Sequence, residues 1–153
     1  MFSGLLLLHS WLRWVVLAVA LVTLIRTSAN RTAKAPWSTL DDRFSLGLVG
    51  LADVQLMLGL VFWLGLSPTT QVAFAQGVFS QSTLTFFALV HPIAMIAATL
   101  WLHVGRVRLK KSPDDPERHG RWRRTTLSFV AILVLAIPWP SLTWARPLFR
   151  VPG

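Results

Sequence analysis

The run LLLLHSWLRWVVLAVALVTLI, residues 5–25, decides how the chain is read. A spanning helix needs about 20 mostly apolar residues, so this run is long enough to cross a bilayer. It nevertheless carries His9 and, one helical turn later, Arg13. Ionisable groups are expensive in hydrocarbon and face protein, a cofactor or water rather than lipid. What these two side chains face therefore organises the reading of everything else.

Three further apolar stretches follow, at residues 46–66 (LGLVGLADVQLMLGLVFWLGL), 84–103 (LTFFALVHPIAMIAATLWLH) and about 127–145 (LSFVAILVLAIPWPSLTWA). At 1.5 Å per residue each approaches the roughly 30 Å of a hydrocarbon core. Of 153 residues, 54% are hydrophobic and only 14% charged, and the mean hydropathy is +0.57. Those proportions place the chain among membrane proteins, with room for one domain. The expectation is an all-α, integral-membrane four-helix bundle. The opening MFSG lacks a positive n-region, so residues 5–25 read as a retained helix rather than a signal peptide.

The connections set orientation. Arg26, Arg31, Lys34 and Arg43 separate the first two stretches; Arg106, Arg108, Lys110, Lys111, Arg118, Arg121, Arg123 and Arg124 separate the third and fourth. The loop between the second and third, residues 67–83, has no charge. The positive-inside rule assigns the basic loops to the cytoplasm and both termini to the outside, in a multi-pass protein of a bacterial cytoplasmic membrane. The formal charge of +9 then means loops lying on anionic lipid, not nucleic-acid binding. Ser38-Thr39 followed by Asp41 reads as a cap for the second helix. Trp37, Trp63, Trp101, Trp122 and Trp144 read as an interfacial belt, and His103 and His119 as interfacial or loop histidines.

Depth brings particular groups together. Counted from the outer boundary, His9 lies roughly 10 Å deep and His91 roughly 12 Å, on helices running the same way. Arg13 lies at roughly 16 Å, Gln55 at roughly 16 Å and Asp53 at roughly 20 Å. A buried arginine needs a partner, so Arg13 is expected to meet Asp53 or Gln55 between the first and second helices. Gly47, Gly50 and Gly59, with Ala94, Ala97 and Ala98, mark where helices approach closely. Pro92, Pro138 and Pro140 make the outer half the irregular half.

Two imidazoles at equal depth on parallel helices are the minimum for a six-coordinate b-type haem. His9 and His91 are its candidate metal ligands, with Arg13, or Arg146 and Arg150, for the propionates. A single histidine could instead ligate the magnesium of a chlorophyll, or both could simply bond to neighbouring helices. With no cysteine, disulfides, iron–sulfur clusters and covalent haem attachment are excluded. No phosphate loop, HExxH motif or serine–histidine–acid set is present. Four helices without a broken-helix repeat argue against a transporter through Asp53, Gln55 and Arg13.

These residues carry a resemblance. His9-Ser10-Trp11-Leu12-Arg13-Trp14, Gln55-Leu56-Met57-Leu58-Gly59-Leu60, His91 with Met95, and Ile137-Pro138-Trp139-Pro140 together resemble small four-helix bacterial membrane proteins described as "cytochrome B". The resemblance spans nearly the whole chain and implies a haem carried at His9 and His91. The chain departs from that pattern at Val90, where an acidic residue often stands, and at Asp53, where a histidine is common. The expected function is a small electron carrier or redox-complex subunit rather than an enzyme, exchanging electrons with a quinone or a periplasmic partner. The alternative is a cofactor-free accessory subunit, packed by its apolar faces against a larger membrane complex.

Overall fold

The computed structural model describes residues 2–144 and 146–149. Helix α1 runs Phe2–Thr32, α2 Thr39–Val61, α3 Pro68–Gln76, α4 Ser82–Thr85, α5 His91–Lys110 and α6 Asp115–Ala136. A π-helical turn at Phe62–Leu66 extends α2, and another at Phe86–Val90 joins α4 to α5 without a break. Among the described residues no strand occurs. Three helical stretches, Phe2–Thr32, Thr39–Leu66 and Ser82–Lys110, are long and apolar enough to cross a membrane.

The helices begin where the sequence supplies caps. Ser38 caps α2, and Asp41 returns the bond to the Ser38 backbone, a reciprocal capping box. Ser67 caps α3 with Pro68 in its first turn, and Asp114 caps α6 with Pro116 likewise placed. The fourth long helix is a correction to the sequence reading: it spans Asp115–Ala136, not 127–145. Its charged first turns hid its true start. Its end is set by Pro138, which forces Ile137 out of helical geometry to φ −71°, ψ 134°.

Helix α1 packs on α2 and α6, and α5 packs on α2 and α6, so the four long helices surround a common interior. Val16 and Ala20 of α1, Leu48 and Ala52 of α2, Ala98 and Leu102 of α5, and Trp122, Phe129 and Leu133 of α6 form the core. Helices α5 and α6 approach closely at Gly105. A Cβ on Gly105 would stand 2.9 Å from the Cβ of Thr125. Large apolar side chains remain exposed around the outside, among them Ile25, Met57, Leu64 and Leu135. That inside-out distribution suits a hydrocarbon surround.

One end of the molecule is basic. There Arg26 bonds Asp41 at 2.9 Å, and the buried Arg106 bonds Asp42 and Ser45, each at 2.7 Å. Trp122 is fully buried and not part of an interfacial belt. His119 lies fully buried in α6 against Trp37, with ring centroids 4.9 Å apart, not in a loop. Both were misplaced because the first three turns of α6 were read as loop. At the opposite end α3 and the residues after α6 fold over the helix ends. Trp144 stacks on Phe86 at 5.0 Å and Phe149 on Trp14 at 5.1 Å.

Candidate functional site

A cavity of about 210 Å³ occupies the interior between the four long helices at the end away from the basic loops. His9, Ser10 and Arg13 reach it from α1, Gln55 and Gly59 from α2, His91, Met95 and Thr99 from α5, and Phe129, Leu133 and Ala136 from α6. Phe62, Phe87, Thr69 and Arg146 close it above. Its walls are largely apolar with a few convergent polar groups, the usual make-up of a ligand site.

His9 and His91 both line this cavity, although they lie on helices distant in sequence. The His91 Nδ1–H donates to the Ala136 carbonyl at 2.8 Å. A carbonyl can only accept, so the tautomer is fixed and the Nε2 lone pair stays available. Ligating histidines are oriented in this same manner, through the other ring nitrogen. The carbonyl exists for this purpose because α6 ends at Ala136, and the last turn of a helix leaves carbonyls without intrahelical partners. His9 packs edge-on against Phe62, with centroids 5.7 Å apart. The Gln55 amide donates to the His9 carbonyl at 3.1 Å and faces His9 Nε2 at 3.3 Å. His9 Nδ1 and Gln55 Oε1 are buried without a hydrogen-bond partner among the described residues.

The expected pairing of Arg13 with Asp53 is not what the structure shows. Arg13 Nη2 donates to the Leu148 carbonyl at 2.6 Å, and Trp14 Nε1 donates to the same oxygen at 3.0 Å. Asp53 faces outward between α2 and α5 and meets His103 at 2.8 Å. The depth count placed Arg13 and Asp53 within reach, but depth does not say which way a side chain points around its helix. Gln55, the other partner considered for Arg13, turns to His9. Arg146 bonds the Thr69 hydroxyl at 3.2 Å and lies 4.8 Å from the centre of the Phe87 ring. Arg150 lies outside the described residues.

Two features of the site carry no signal in the residue pattern. Both π-helical turns abut the cavity, and they are tied together by Trp63 Nε1 donating to the Ala88 carbonyl at 2.9 Å. Such turns concentrate at functional sites. The residues after α6 form the other feature: their route back across the cavity could not be read from IPWP, which marks only the helix stop.

The residues suit a haem in their donor chemistry. Two imidazoles enter one apolar cavity, His91 carries an available Nε2, His9 holds an orphaned ring nitrogen, and Arg13 and Arg146 bring positive charge. The volume is below the roughly 300 to 1,000 Å³ of typical ligand pockets. A macrocycle therefore requires lining side chains to give way. Comparison of the chain with protein-family models, curated proteins and solved structures finds no match.

Proposed function

We propose that this protein is a small b-type cytochrome-like electron carrier or redox-complex subunit of a bacterial cytoplasmic membrane. In this reading α1, α2, α5 and α6 form a transmembrane four-helix bundle with both termini outside. The placement of the basic residues at one end supports that orientation. Helix α6 supplies apolar residues only from about Thr125 to Ala136, some 18 Å of rise. The remaining depth falls to residues 137–144, whose irregular backbone is tolerated in hydrocarbon where protein covers it. Ile137 and Pro138 are buried.

His9 and His91 would hold the iron, and the haem, when bound, would carry one electron. The chain's own part is to orient and to exclude water. The Ala136 carbonyl aims the His91 ring, Phe62 and Phe87 shield the imidazoles, and Arg13 and Arg146 favour an acidic edge on the ligand. The observation that carries the reading is the meeting of two imidazoles in one interior cavity, one of them already oriented through Nδ1. A quinone or a periplasmic protein suits the electron partner by location.

One contact favours the rival class, a cofactor-free accessory subunit of a larger membrane complex. The Gln55 amide already faces His9 Nε2, one of the two ring nitrogens His9 could offer to iron. A reduced-minus-oxidised visible spectrum of protein purified from haem-replete cells separates the two. The haem reading expects Soret and α bands that disappear in His9→Ala and in His91→Ala, with helicity kept by circular dichroism. A folded, colourless wild-type protein that brings down stoichiometric partner subunits would instead establish the accessory role.

A further inference from the structure

Outside the cavity one polar feature stands apart. Asp53 and His103 bond at 2.8 Å on the outer surface of the α2–α5 seam, with side chains 41% and 51% exposed. His103 stands one turn from Arg106, near the basic end of α5, and Asp53 reaches it from further along α2. Asp53 follows Asp42 by eleven residues, about 16 Å along α2, and Asp42 is where Arg106 binds. Exposed Val54, Leu100 and Val104 flank it. Gly50, one turn below Asp53, has open space where a Cβ would point. Because α2 and α5 run in opposite directions and side chains tilt toward each helix's own N-terminus, Asp53 and His103 lean toward one another in height. The acid and the base thus stand level, one on each side of the seam.

We propose that this face is the interface of a two-fold dimer of the chain, in which the Asp53–His103 pair of each copy covers that of the other. Asp53 is half-exposed inside the apolar stretch of α2, where a carboxylate is costly against lipid and normally faces protein. The face selects a second copy through its own symmetry. A two-fold axis parallel to the helices, standing in front of the seam, carries α2 of the copy opposite α5. Asp53 then meets His103 of the partner at the same height, and His103 meets the partner's Asp53. A patch holding acid and base side by side is complementary to its own rotated image, the condition an isologous interface must satisfy. Gly50 lets the two backbones approach. The inference rests on the membrane placement of the helices, which resistance to carbonate extraction tests separately.

The chain has no cysteine, so single cysteines report contacts cleanly. Full-length Gly50→Cys in liposomes, treated with a short bismaleimide, is expected to give a species of twice the chain mass. Leu21→Cys, exposed on α1 away from the seam, is the control and is expected to stay single. Adding Asp53→Asn and His103→Gln should weaken dimerisation about tenfold, two symmetry-related contacts of about threefold each. The Gly50 reporter needs no change at either polar residue, so it reads the interface even where the double variant misfolds. Cross-linking of Gly50→Cys no faster than Leu21→Cys overturns the proposal. So does capture of a different membrane protein at Gly50, or a dimer indifferent to both polar substitutions in folded protein.

Discussion

Replacing Gly105 by alanine tests the close contact between α5 and α6. A methyl group there would overlap Thr125 Cγ2, and it would stand 2.6 Å from Thr125 Oγ1 and 2.9 Å from its Cβ. Turning the threonine side chain removes the first two clashes but not the third, because Cβ is fixed by the backbone. The helices must separate. A gap of 0.5–1 Å already forfeits about a quarter to a half of a dispersion contact, and the seam is lined by Leu102, Leu109, Trp122 and Phe129, all buried. Overpacking of this kind costs about 3 kcal/mol at the upper end of its usual range. Alanine's better helix propensity returns about 1 kcal/mol. The net expectation is a loss of about 2 kcal/mol. Gly47→Ala is the reference: its Cβ would meet nothing within 4 Å, so only the propensity gain remains. Unfolding of both variants in mixed detergent, followed by tryptophan fluorescence, gives the difference. Moving the methyl across the seam, as Gly105→Ala with Thr125→Gly, should recover most of the loss. Equal stability of Gly105→Ala and Gly47→Ala would refute the packing argument.

The remaining expectations concern the basic end. Asp42→Ala removes one of two partners of the buried Arg106; with Ser45 still bonded and Asp42 half-exposed, the loss is about 1–2 kcal/mol by the same unfolding assay. Arg106→Met, which leaves no charge to satisfy, should be the milder change. Glu117 accepts from Arg121 at 2.9 Å and from Arg124 at 3.2 Å. The Arg121 hydrogen bond foremost, with the charges of Arg124 and Arg121, holds its carboxyl below the ordinary value of 4.5. Its contribution is therefore complete above that value and is lost as the pH falls through the lowered one. Thermal midpoints of wild type and Glu117→Gln should differ at pH 7 and draw together as the pH falls through the lowered value, and a difference that persists into strong acid would contradict the assignment.

The three long apolar helices were legible because length and hydropathy alone define such stretches. Their ends were less so. Helix α1 runs on to Thr32 and α5 to Lys110, since polar turns beyond an apolar stretch carry no hydropathy signal while still satisfying backbone bonds. The cap at Ser38 was readable, being a local pattern of hydroxyl and carboxylate. The start of α6 was not, because its first twelve residues, 115–126, are poor in apolar side chains and looked like loop until Trp122 and His119 were seen to be buried. His9, Arg13, Gln55 and His91 share the cavity, as counting residues along the helices suggested. Asp53 does not, because rise fixes height and leaves the angle about the helix axis open.

That angle is where the π-helical turns matter. Each residue of an α-helix turns the chain by about 100°, so one residue accommodated in a wider turn re-phases everything after it. The turn at Phe86–Val90 ends immediately before His91. It therefore sets which face of α5 carries the imidazole, and with it whether Nδ1 meets the Ala136 carbonyl or points elsewhere. The turn at Phe62–Leu66 holds the first in place, through the Trp63 bond to the Ala88 carbonyl. The regular i+4 partner of the Ala88 carbonyl would be Pro92, which has no N–H, and the Trp63 bond satisfies that carbonyl from another helix. The geometry at His91 thus depends on α2 as much as on α5. A regular α-helical count through residues 84–103 places the histidine at the right height but cannot supply the angle that turns it inward.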